Sequence, residues 1–142
     1  MCLLVPKDRK EEVLEKDLIC YKVLAFSRLL PHYYTPYTHF HVEPSRGSRI
    51  KAIGCEESYE HAFGVTISGG FIHCMGDLNG AEKLVEELKH EFGGLVDEEY
   101  VIFKCIIPKG TEVFIGKTYF DFRKYTAIAA KEIEFIEEVI CV

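Results

Sequence analysis

Three stretches of the chain hold residue types and spacings that could do chemistry. In PHYYTPYTHFHVEP, residues 31–44, His39 and His41 stand two positions apart, and Glu43 follows at the same interval. On an extended chain side chains repeat every two residues, so both imidazoles and the carboxylate would share a face. Two histidines with one carboxylate are a donor set for non-haem iron or a similar divalent ion. The simpler reading is a loop stiffened by Pro31, Pro36 and Pro44 and half-filled by the rings of Tyr33, Tyr34 and Tyr37. We expect the stiff aromatic loop, with no metal and no cofactor.

The second stretch is PSRGSRIK, residues 44–51, where Arg46, Arg49 and Lys51 bracket Gly47 and Ser48. Backbone N–H groups of a small-residue loop can form a nest for an anion, and Arg adds a bidentate fork. With Tyr33, Tyr34 or Tyr37 as a stacking face, this would seat a nucleotide-like ligand. The spacing matches no phosphate-loop pattern, and the alternative is an ordinary solvated loop. The third group is His61, His73 and Cys74. A Cys–His pair can supply a nucleophile, but sequence neighbours on a strand face opposite ways. Only His61 could then meet Cys74, and a core role for one of them is simpler. The expected ligand-binding set is therefore Tyr34, Tyr37, His39, His41, Arg46, Arg49, Lys51 and His73, with no catalytic residue.

The elements that must position these groups belong to a single domain of 142 residues, with 48% apolar and 28% charged side chains. That length buries enough surface to fold without disulfides or metal. Seventeen basic and 23 acidic side chains leave a net charge of −6, the wrong sign for general binding to phosphate backbones. The six cysteines show no CxxC spacing and sit in runs such as FKCII and VICV, as small core residues do. A reducing cytoplasm follows as the expected compartment. The N-terminal MCLLVPKDRKEE offers only four apolar residues before charges begin, so neither a signal peptide nor a membrane span is expected.

Along the chain, CLLV (2–5) reads as a short strand ended by Pro6, and 7–17 as an exposed helical turn or loop. LICYKVLAF (18–26) is a buried strand. The proline-rich 27–54 is irregular, with YTHFHV as one short strand within it. AFGVTISGGFIHCM (62–75) suggests two strands joined at Ser68-Gly69-Gly70. Asn79 and Glu82 form a capping box, and Ala81, Leu84, Val85, Leu88 and Phe92 make the stripe of an amphipathic helix ended by Gly93-Gly94. YVIFKCIIP (100–108) is a central strand, TEVFIG (111–116) returns beside it, 119–130 reads as a loop with a short helical piece, and KEIEFIEEV (131–139) alternates as a closing strand. The expected fold class is α+β: a mostly antiparallel sheet of about six or seven strands with one main helix packed on a face.

CYKVL, GGFIHC, KCIIPKGTEVFIGK and YTAIAAKEIEFIEE, in that order, resemble small uncharacterised proteins common in phages and bacterial mobile elements; an extra Ile interrupts the GFH-type strand here. The resemblance implies a phage-encoded protein without an assigned activity. EEYVIFKCIIPKGTEVFI also resembles the closing strands of ADP-ribosyltransferase-like folds. That likeness would place Lys22, His73 and Glu98 or Glu99 around a nicotinamide dinucleotide, with Lys22 and His73 differing from the family's residue types. The function expected is a non-enzymatic binding protein that engages a host protein or sequesters a small anionic ligand through the 31–51 loop. It would not contact membranes, and a homodimer is possible. The alternative is an ADP-ribosyltransferase-like or metal-dependent enzyme.

Overall fold

Apolar residues fill nearly every position of 18–26 and 100–107, as they must in strands covered on both faces. The computed structural model describes residues 3–6, 11–27, 29, 31–36, 40–54, 57–62, 64–92 and 98–139. Strands β1 (Leu3–Val5), β2 (Glu12–Val13), β3 (Leu18–Ser27), β4 (His32–Tyr34), β5 (His41–Val42), β6 (Arg49–Lys51), β7 (Glu57–His61), β8 (Gly64–Gly69) and β9 (Ile72–Met75) precede helix α1 (Leu78–Phe92). Strands β10 (Glu98–Ile107), β11 (Glu112–Phe120), β12 (Arg123–Ala130) and β13 (Glu132–Val139) follow it.

All thirteen strands join one sheet, ordered β6-β13-β10-β3-β9-β12-β11-β1-β8-β7, with β2 added to β11 and the β4–β5 pair added to β3. This corrects the expected α+β fold of six or seven strands: the described chain is mostly β, in a curled antiparallel half-barrel with one helix. The curl follows from covalent reach. Laid flat, a ten-strand path would be roughly 43 Å wide. Its two outermost strands, β6 and β7, are consecutive in sequence, and six residue steps from Lys51 to Glu57 span at most about 22 Å.

Both faces of the sheet are apolar. On one, Val23, Met75, Ile102, Ala127 and Ala129 pack under Ala81, Leu84 and Leu88 of α1. On the other, Cys20, Leu24, Cys74, Phe103, Cys105, Ile128, Ile133 and Phe135 form a second core. The expected stripe of α1 is borne out at Ala81, Leu84 and Leu88, all buried. Its cap is not Asn79. Asp77 Oδ1 accepts a hydrogen bond from the Gly80 amide at 2.7 Å, so the helix starts two residues earlier and Asn79 lies inside it. The expected glycine stop at 93–94 lies outside the described residues.

The remaining differences are in pairing. β8 and β9 do not form a hairpin: β8 pairs with β1 and β7, while β9 pairs with β12 and β3. Gly70, at a φ of 75°, turns the chain out of one strand neighbourhood and into another. Likewise β11 does not return beside β10, which lies between β3 and β13. The segment expected as a loop at 119–130 is the end of β11 and all of β12, joined by a tight turn in which Asp121 and Phe122 have φ of 50° and 63°. Ala127, Ala129 and Ala130 are wholly buried there. Small residues serve a central strand where sheet and helix approach closely, whatever their intrinsic preference. Residues 12–13, expected outside any strand, pair with β11. Among the described residues no helix is long and apolar enough to cross a membrane.

Candidate functional site

β3 has two neighbours along one of its edges. Tyr21 pairs with Met75 of β9, whereas Ala25 and Phe26 pair with Tyr34 and Tyr33 of β4. Between these contacts the sheet forks, and a cavity of about 540 Å³ opens there. Phe40, His41 and Lys51 line it from the 35–54 side, Phe71 and His73 from the entry to β9, and Lys22 from β3 itself. Lys131 braces the opposite wall, donating to the Gly70 carbonyl at 3.0 Å while its ammonium lies 4.0 Å from the centre of the Phe71 ring.

Lys22 shares the face of β3 that carries Cys20 and Leu24, so it points to the second core. It is 8% exposed, and its Nζ donates to the His73 carbonyl at 2.9 Å. Among the described residues no carboxylate is paired with it. Burial holds the ammonium below its usual range, because the charged form loses more hydration than the neutral one. Nearby thiols oppose that shift. Hydrogen bonds with Cys105 and Cys74, and then burial, push the Cys20 thiol far up. The hydrogen bond from Cys20 holds Cys74 down against its own burial, and the Lys22 charge assists. Cys20, Cys74 and Cys105 are all buried and free, as expected of core cysteines.

The expected ligand-binding residues are only partly gathered by this cavity. His41, Lys51 and His73 line it. Tyr34 is half-buried on β4, its ring 6.0 Å from that of His41. Tyr37 and His39 lie outside the described residues. Arg46 is exposed in the 46–47 turn and is not part of the cavity wall. Arg49 is already paired within the fold. Its Nε is 2.9 Å from Glu134 Oε1 and its Nη1 is 4.0 Å from Glu132 across β13, and the Glu134 hydrogen bond raises the guanidinium further above its usual range. Nor is the Gly47–Ser48 backbone a nest: the Gly47 amide donates to the Phe135 carbonyl and the Ser48 amide to Ser45. Those two N–H groups tie β6 to β13 and to its own turn.

The other two constellations fare differently. Cys74 is buried on β9, with four strands between it and β7, the strand that carries His61. The ADP-ribosyltransferase-like trio is not assembled either. Lys22 and His73 are adjacent, but Glu99 is four residues along β10 from Phe103, the partner of Lys22, or about 14 Å. His41 and Glu43 do meet, with Nε2 and Oε1 3.1 Å apart. The second imidazole beside them is His32, whose ring centroid lies 4.6 Å from that of His41. His32 was legible only as the cross-strand partner of a hairpin that the prolines of 31–44 hid.

No family model, no curated protein and no solved structure matches the chain.

Proposed function

We propose that the protein binds a small anionic ligand in the cavity at the fork of the sheet, with Lys22 as the cation that receives it. The observation behind this reading is a buried lysine on the cavity wall with no carboxylate partner among the described residues. An ammonium withdrawn from water costs several kcal/mol unless an opposite charge replaces its hydration. The fold leaves that position open to an incoming anion. Lys51 adds a second positive charge at the exposed rim, and Phe40 and Phe71 offer apolar wall. A volume of about 540 Å³ falls within the usual range for small-molecule sites. This keeps the binding role expected of the 31–51 region but moves its anchor from the arginines of 46–49 to Lys22. A binding protein needs no catalytic constellation.

The test is a thermal-shift screen of inorganic phosphate, small carboxylates and nucleoside monophosphates. A ligand at a hundred times its Kd should stabilise the fold by about 2.7 kcal/mol, and Lys22→Met should abolish that response while retaining a cooperative transition. An anion-induced shift of equal size in Lys22→Met would contradict the reading.

A further inference from the structure

We infer that His32, His41 and Glu43 form a site for one divalent first-row transition-metal ion at the mouth of this cavity. This goes beyond the anion reading and stands without it, because none of the three residues is needed to anchor an anion on Lys22.

The site is built by a register. β4 and β5 pair antiparallel with Tyr34 opposite His41 and Tyr33 opposite Val42. One step further along the same ladder sets His32 opposite Glu43. Side chains alternate, so His32, Tyr34, His41 and Glu43 share one face, and Tyr33 and Val42 share the other. That other face is anchored: Val42 is 5% exposed in the core that holds Leu24 and Phe103, and the Tyr33 ring packs 5.0 Å from Phe26 and 5.5 Å from Phe103. The donor-bearing face is thus held by a fixed hairpin while its side chains stay accessible.

One ligand atom from each of the three residues lies within 4.8 Å of the other two. Metal–nitrogen and metal–oxygen bonds of about 2.0–2.2 Å put neighbouring donors of a tetrahedral site about 3.3 Å apart. His41 Nε2 and Glu43 Oε1 already approach to 3.1 Å, so closure asks for roughly 1.5 Å of adjustment in exposed side chains and no backbone movement. Two imidazoles and one carboxylate, without thiolate, suit Zn²⁺, Ni²⁺, Cu²⁺ or Fe²⁺ better than Ca²⁺ or Mg²⁺, which prefer all-oxygen shells. Three protein donors also leave a coordination position for water or for a ligand atom. Since His41 is itself part of the cavity wall, the ion would add positive charge at the entrance.

Isothermal titration of chelator-treated protein with Zn²⁺ tests this directly. The expected result is one ion per chain, with affinity reduced at least tenfold to a hundredfold in His32→Ala and in His41→Ala, since even supporting residues of metal sites contribute that much. Glu43→Gln should also weaken binding, and His90→Ala, on the exposed side of α1, should leave it unchanged. Circular dichroism confirms that each variant is folded; His32→Gln and His41→Gln keep the side-chain volume should either alanine variant unfold. Lys22→Met should bind Zn²⁺ as the wild type does, so a failed anion screen and a failed metal titration are separate results. Zinc binding that is absent in the wild type, or that persists undiminished in His32→Ala and His41→Ala, overturns the inference.

Discussion

A lysine in the middle of LICYKVLAF is largely withdrawn from water: its own face carries Cys20 and Leu24, and only 8% of it stays exposed, at the cavity wall. The consequence is a defined pH dependence. In the folded state Lys22 titrates below the 10.5 of the free side chain. Between the two values the unfolded chain therefore holds more protons than the folded one, and stability rises with pH, by at most about 1.4 kcal/mol per pH unit. Cys20 acts the other way, because its folded-state pKa is raised above 9.0 and its contribution is lost as pH climbs past that value. The clean observable is the difference between wild type and Lys22→Met in urea unfolding as pH rises towards 10.5. That difference should move in favour of the wild type as pH rises, and a constant gap would contradict the assignment. At this scale the sequence singled out His41, Lys51 and His73, which line the cavity. It did not single out Lys22, although a lone cation inside an apolar strand is itself a signal. It favoured Arg49 because nothing local announces that Glu134, 85 positions away, will take its guanidinium.

Elements with local signals were the legible ones. β1, β3, β10 and β13 announce themselves by apolar runs or alternation, and α1 by its stripe. Even there the cap was misplaced, because Asp77 and Asn79 both suit the role and only the Gly80 amide decides between them. Asp77→Ala should cost about 1 kcal/mol in chemical denaturation, and Asn79→Ala much less. The β11–β12 hairpin was hidden for a different reason. Tight hairpin turns with positive φ usually carry Asn-Gly or Asp-Gly, and here the second central position is Phe122, fully exposed at a φ of 63°. A left-handed backbone costs an L-residue roughly 1–2 kcal/mol. Allowing for the greater freedom that glycine gains on unfolding, Phe122→Gly should raise stability by up to about 1 kcal/mol, measured as the shift in urea midpoint. An unchanged or lower midpoint would mean that the ring makes up for its backbone.

At the scale of the molecule, the strand order could not be read from the sequence, because its longest ladder, β3 with β10, joins distant segments. Local turns suggested hairpins at 68–70 and 108–110, yet each of those turns passes the chain to a different part of the sheet. The edges are short and charged: β6 carries Arg49 and Lys51, and β7 carries Glu57 and Glu60, a composition that discourages further strands from adding. The most telling placement is that of β10, paired with β3 from Leu18 to Ser27 and with β13 on its other side. On the ribosome, β3 emerges before residues 28–97, and all of these must follow before its full-length partner β10 appears. β9 waits in the same way for β12. A nascent chain that has just completed α1 therefore carries long apolar strands with open edges, the kind of species that holdase chaperones shield and that aggregates in their absence. The longer the interval in translation between β3 and β10, the longer that exposed species persists.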